Sequence, residues 1–154
     1  MNPSPHGPSW RSLNRFRDEP TAELMIACSD GRFARAFEEF ATTGLGLDRY
    51  ARLIVPGGPA FLAADDADPW SEGPRGRDLR FIIDALSIER VHLIQHDLCA
   101  YYEQGLGVAP AALADRQRAD LALAGDRLAA SWPSLQIHRW RATVEAGAVV
   151  VTPS

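Results

Sequence analysis

Cysteine is scarce in this chain of 154 residues: there are two, Cys28 and Cys99. So few exclude the disulfide framework of a small secreted scaffold. An excess of one charge is also missing. Sixteen Lys and Arg stand against 20 Asp and Glu, a net charge of −4, which gives no electrostatic case for nucleic acid or an anionic membrane as partner. No apolar run approaches the roughly 20 residues needed to span a bilayer. The first residues, Met1-Asn2-Pro3-Ser4-Pro5-His6-Gly7-Pro8, lack the charged-then-apolar order of a signal peptide, so a cytoplasmic protein is expected. No internal repeat, low-complexity tract or phosphate-binding loop is present. Gly44-Leu45-Gly46 does not follow a strand, so it is not a dinucleotide fingerprint.

What remains is an ordinary composition for one globular domain, 46% apolar and 23% charged, long enough for a real core. Residues 1–20 are rich in proline, arginine and serine and read as an N-terminal arm, with Trp10 and Phe16 available to anchor it to a neighbour. Residues 21–154 read as a single α/β domain.

Two stretches organise that domain. Leu24-Met25-Ile26-Ala27 runs without polar interruption into Cys28-Ser29-Asp30-Gly31-Arg32. Val91-His92-Leu93-Ile94-Gln95 runs into His96-Asp97-Leu98-Cys99. Such runs predict buried strands, over 23–28 and 90–95. Between them, Phe33, Ala36, Phe37 and Phe40 have helical spacing up to Gly44 and Gly46. Tyr50 to Val55 predicts a strand stopped by Pro56-Gly57-Gly58-Pro59, and 63–77 an acidic surface loop. Leu79, Ile82, Ile83 and Leu86 mark one side of a helix over about 77–86. Pro110 suits the first turn of a long helix whose stripe is Leu113, Gln117, Leu121, Ala124 and Leu128, ended by Pro133. Strands follow at 135–140 and 148–152, and Glu145-Ala146-Gly147 is short enough for a hairpin turn. The β-α-β-α-β-α-β-β order predicts a mostly parallel five-stranded sheet with helices on both faces. The last strand is antiparallel, because a parallel neighbour needs a long crossover.

The chemistry sits at the carboxyl ends of the two apolar strands, where parallel α/β sheets place their ligand sites. Cys28, His96 and Cys99 can converge there as a Cys2His metal set, with a fourth position left for water or substrate. Plainer readings stand beside this one. The two cysteines can be buried free thiols, or a disulfide in an exported protein. Asp30 can cap the following helix, and Arg32 can be a solvated first-turn residue. His92 reads as structural, with a proton-relay role for it or His138 as the alternative. Tyr101 and Tyr102 fit the wall of a cleft or a partner chain. Gly57 and Gly58 fit a close backbone approach to the site.

Cys28-Ser29-Asp30-Gly31-Arg32 and His96-Asp97-Leu98-Cys99 resemble the two zinc motifs of the β-class carbonic anhydrases, over roughly residues 24 to 101. The resemblance implies Zn2+ held by Cys28, His96 and Cys99. It implies an Asp30–Arg32 dyad in which the arginine holds the aspartate away from the metal. It further implies reversible hydration of carbon dioxide to bicarbonate and a homodimer or higher homo-oligomer. The departures are specific. Gln95 and Ala100 flank the second motif where the family has glycines, and Gly31 replaces a serine. Val55-Pro56-Gly57-Gly58-Pro59 stands where Arg-Asn-Ala is common, and the chain is short. These departures leave two other functions open: a non-catalytic zinc-binding protein on the same scaffold, or a hydrolase of carbonyl sulfide or carbon disulfide.

Overall fold

The computed structural model describes residues 10–64 and 71–154. Residues 1–9 of the expected arm and 65–70 of the expected acidic loop lie outside them. Residues 10–20 carry no helix or strand.

Five strands form one sheet: Glu23–Cys28 (β1), Ala51–Val55 (β2), Arg90–His96 (β3), Gln136–Glu145 (β4) and Ala148–Pro153 (β5). Their order is β2-β1-β3-β4-β5. All pairings are parallel except β4–β5, which is antiparallel. This is the fold class the alternation of elements predicts. The β4–β5 turn places Ala146 at φ 48° and Gly147 at φ 82°, the two left-handed positions of a type I′ hairpin.

Among the described residues the α-helices are Ala34–Glu39 (α1), Pro74–Leu86 (α2) and Leu113–Ser131 (α3). Side-chain alternation along β1 divides the core. Leu24 and Ile26 face Leu79 and Ile83 of α2 and Leu121, Ala124 and Leu128 of α3. Met25 and Ala27 face Phe33 and Phe37, at and in α1, and the π-helical turn Phe40–Gly44. All six residues of β1 are buried, as an uninterrupted apolar run requires. Complete burial of residues such as Leu24, Met25 and Ile26 stabilises the sheet by about 1.5–3 kcal/mol each.

Three boundaries differ from expectation. The helix expected from Arg77 starts at Pro74, because Gly73 caps it and Pro74 has the preset φ of a first helical residue. Pro56-Gly57-Gly58-Pro59 does not simply stop β2: Gly58–Ala63 forms a wholly buried 3-10 helix packed against α3. The strand expected over 135–140 runs to Glu145, because Arg141 and Thr143 pair with β5 and do not end it.

At the foot of the sheet, Glu23 is bonded by Arg90 and by His92 Nε2 at 2.9 Å. Trp140 Nε1 can only donate, so His92 Nδ1 accepts from it at 3.3 Å and Nε2 carries the proton given to Glu23. Both ring nitrogens are engaged. Burial raises the Glu23 carboxyl pKa, but the bonds from His92 and Arg90 outweigh it and hold it below its usual value. A depressed carboxyl stabilises the fold above its unfolded pKa of about 4.3. That contribution is lost as pH falls through the lower folded value. Glu23→Gln is therefore expected to cost about 1–3 kcal/mol at neutral pH. The deficit should shrink in acid, which urea unfolding of both proteins at neutral and acid pH measures.

Candidate metal centre

β1 has β2 on one side and β3 on the other, and the crossover after β1 leads to β2 while the crossover after β3 leads to β4, in opposite directions. The carboxyl ends of β1 and β3 thus flank a topological switch point, where the backbone leaves a crevice. β1 ends on Cys28 and β3 on His96. A tight turn through Leu98, at φ 57°, then brings in Cys99. A left-handed leucine costs about 1–2 kcal/mol, so the turn persists only because its surroundings fix it.

The structure brings the three expected donors together. Cys28 Sγ, Cys99 Sγ and a His96 ring nitrogen lie within 4.8 Å of one another, and all three residues are buried. The sulphurs are 4.0 Å apart and both cysteines are free, so the disulfide reading does not describe this structure. Zinc–sulphur bonds of about 2.3 Å at a tetrahedral angle place two sulphurs about 3.8 Å apart, close to what is seen. His96 Nδ1 donates to Asp97 O at 2.6 Å. That bond fixes the tautomer and leaves a lone pair on Nε2, which is buried with no hydrogen-bond partner. The Phe33 ring, 4.2 Å away between centroids, holds the imidazole in place. An orphaned acceptor beside two sulphurs is what a borderline-soft divalent metal would satisfy.

At 4.0 Å one sulphur can donate a hydrogen bond to the other. A hydrogen bond from Cys99 lowers the Cys28 pKa to about 4 against the opposing effect of burial, with smaller help from the Asp30 and Gly57 amides. The same hydrogen bond, then burial, pushes Cys99 up. The Gly57 N–H donates to Cys28 Sγ at 3.4 Å, a contact that favours the thiolate form of Cys28. Gly57 and Gly58 sit at φ 77° and 54°, and a Cβ on Gly58 would lie 2.9 Å from the Cys28 nitrogen. The close backbone approach expected of these glycines is real.

Asp30 and Arg32 form a forked pair at the mouth. Arg32 Nη2 donates to Asp30 Oδ2 at 2.6 Å, and Nε bridges both oxygens at 3.1 Å. Nη2 also donates to Leu98 O at 2.9 Å, which ties the dyad to the second motif. Arg32 lowers the Asp30 pKa to about 2. Asp30 does not cap α1, whose N-cap is Phe33 without a side-chain bond. A cleft of about 450 Å³, lined by Cys28, Ser29, Asp30, Pro56, Ala100 and Tyr101, opens beside the cluster. Tyr101 packs on Gly57, while Tyr102 is buried and donates to Asp120 at 2.8 Å. His92 and His138 stack at 5.0 Å within the foot of the sheet, and neither lines this cleft.

The polar groups behind the turn were not legible as site residues. Gln117 is the one polar member of an apolar stripe, and Arg141 lies beyond the expected end of its strand. A glutamine interrupting an apolar helix stripe is the signal the sequence offers.

These features define a doubly wound α/β protein with a thiolate–imidazole cluster at its switch point. No protein-family model matches the chain, and no curated protein matches it. Among solved structures, the β-carbonic anhydrase isoform I of Trichomonas vaginalis is similar at TM-score 0.56 and 15% identity, over 93% of this chain and 88% of that one. The β-carbonic anhydrase CcaA is similar at TM-score 0.53 and 15% identity, over 86% of this chain and 74% of that one. The Coccomyxa β-carbonic anhydrase, solved with acetazolamide, is similar at TM-score 0.53 and 15% identity, over 88% and 72%. The chain has the β-carbonic anhydrase fold.

Proposed function

We propose that Cys28, His96 and Cys99 bind Zn2+ and that the protein reversibly hydrates carbon dioxide to bicarbonate. The observation that carries this reading is the convergence of three unbridged soft donors beside an ion-paired Asp30 that faces an open cleft. Bound zinc supplies Lewis-acid chemistry that acidifies water and so makes a nucleophile at neutral pH. The chain supplies the rest. With its pKa near 2, Asp30 is a carboxylate at any physiological pH and can only accept hydrogen bonds. Arg32 holds both Asp30 oxygens and the Leu98 carbonyl, which keeps the carboxylate from turning in as a fourth ligand. That matters because two thiolates already cancel the formal charge of Zn2+.

Stopped-flow hydration of carbon dioxide by the zinc-loaded protein tests the activity. Turnover that rises with pH supports it, and no turnover up to about pH 9 contradicts it, since the acidified water is ionised by then. Asp30→Asn is expected to keep stoichiometric zinc and lose about 10- to 100-fold in turnover. Loss of zinc in that variant would instead make Asp30 a ligand. A second reading, a non-catalytic zinc-binding protein, is favoured by the complete burial of His96 and Cys99. Zinc binding without hydration, and without sulfide release from carbonyl sulfide or carbon disulfide, would select it.

Two further parts of the reading concern context. Two buried free thiols suit a reducing cytoplasm. Among the described residues, no helix is long and apolar enough to cross a membrane. We place one domain over 21–154 and an arm over 1–20. Trp10, Leu13 and Phe16 of that arm are 75%, 102% and 83% exposed, which suits packing on a second copy in a homodimer. Sedimentation of the full chain reads that state.

A further inference from the structure

The turn that carries two of the three donors is gripped from behind by groups that never reach the cleft. Gln117 of α3 is fully buried and donates from Nε2 to the His96 carbonyl at 2.9 Å. Its Oε1 accepts from Arg141 Nη1, and Arg141 Nη2 donates to Asp97 Oδ1. Asp97 Oδ2 accepts from the Val144 N–H at 3.2 Å, and the Asp97 N–H donates to Ala142 O at 3.0 Å. Helix α3, strand β4 and the turn are thus joined through one glutamine, one arginine and one aspartate. The turn needs such a grip, because Leu98 holds a left-handed conformation between His96 and Cys99. Asp97 also bears directly on the imidazole: its carbonyl accepts the His96 Nδ1 proton and so sets which nitrogen faces the sulphurs.

We propose that Gln117, Arg141 and Asp97 are positioning residues for the metal centre, a clamp that fixes the separation and direction of His96 Nε2 and Cys99 Sγ. The clamp acts through the backbone of the turn and touches neither metal nor substrate. It rests on the reading that the cluster binds a divalent metal. The arrangement is specific to these side-chain types. Gln117 must donate to a carbonyl and accept from a guanidinium at once, which an amide does and a carboxylate does not. Arg141 must give parallel donors to two acceptors, which its fork provides and a lysine does not.

The test compares Gln117→Met, which conserves volume and removes both bonds, with the unaltered full-length protein. The probes are Zn2+, titrated against a competing chelator, and Co2+, whose visible spectrum reports the geometry of a sulphur–nitrogen site. We expect Gln117→Met to weaken Zn2+ binding by about 10- to 100-fold, and to shift and weaken the Co2+ ligand-field bands. Leu128→Ala is the control for general destabilisation. It opens a cavity elsewhere in the same helix and should lower stability while leaving both metal readouts in place. Should Gln117→Met fail to fold, Gln117→Glu carries the test. It keeps an acceptor for Arg141, loses the donor to His96 O, and should change the Co2+ spectrum in the same sense. Unchanged Zn2+ affinity and an unchanged Co2+ spectrum in the folded variant overturn the clamp and leave the metal site standing. Absence of Zn2+ and Co2+ binding by the unaltered protein overturns the metal site and the clamp with it.

Discussion

Replacing Cys99 by serine is expected to lower Zn2+ affinity by roughly 10²- to 10⁴-fold. The estimate follows from the number of donors. Zinc sites of this kind bind with about 10–16 kcal/mol. Losing one of three protein donors forfeits roughly a third of that, and each 1.4 kcal/mol is about tenfold. A serine hydroxyl stays protonated at neutral pH and does not replace a thiolate. Cys99 also packs against Ala60, Tyr102 and Leu113, so the variant buries a hydroxyl among apolar groups and loses about 1–3 kcal/mol of fold stability. Zinc content after gel filtration, together with thermal unfolding in excess chelator, separates the two losses. A Cys99→Ser protein that retains one tightly held zinc would remove Cys99 from the site.

Gly58→Ala has the second large effect, and it reaches the site through the backbone. At φ 54° an alanine pays about 1–2 kcal/mol for its left-handed conformation. Its Cβ would meet the Cys28 nitrogen at 2.9 Å, the Ala27 carbonyl carbon at 3.0 Å and the Ile94 oxygen at 3.2 Å. These are atoms of β1 and β3, which cannot swing aside as a side chain can, and such overpacking costs about 1–3 kcal/mol. The expected sum is about 2–5 kcal/mol of stability. Zinc binding should weaken as well, because relief of the clash moves Cys28. Gly31→Ala makes the comparison: a Cβ there meets nothing within 4 Å, and its stability should stay close to that of the unaltered protein. Equal behaviour of the two alanine variants would show that the Gly57-Gly58 approach to Cys28 is not tight in solution.

What could be read from residues and what could not divides along physical lines. Strand β1 was legible because both faces are covered, so Leu24–Ala27 is apolar without interruption up to the site, and β3 was legible from Val91, Leu93 and Ile94 in spite of His92 within it. Cys28, His96 and Cys99 were legible for the same reason: each follows an apolar strand that leads into the crevice. The buried helix Gly58–Ala63 was not legible, since Pro56-Gly57-Gly58-Pro59 carries the composition of a loop while tertiary contacts bury all six helical residues. The far half of β4 was hidden because Arg141, two residues past Arg139, puts a second charge into the segment and reads as its end. In the fold its charge is met by Asp97 and Gln117, so a charged residue is accommodated inside a strand. The engagement of His92 by Glu23 and Trp140 depends on pairing between strands far apart in the chain, which one strand's pattern does not encode.

Two sulphurs and one imidazole of this chain are proposed to share a single zinc ion. X-ray absorption at the zinc edge of the loaded protein measures that directly. The expected spectrum shows two sulphur scatterers at about 2.3 Å, one imidazole nitrogen at about 2.0–2.1 Å and one further light atom. A spectrum fitted by nitrogen and oxygen alone, or a purified protein that takes up no zinc, would contradict it.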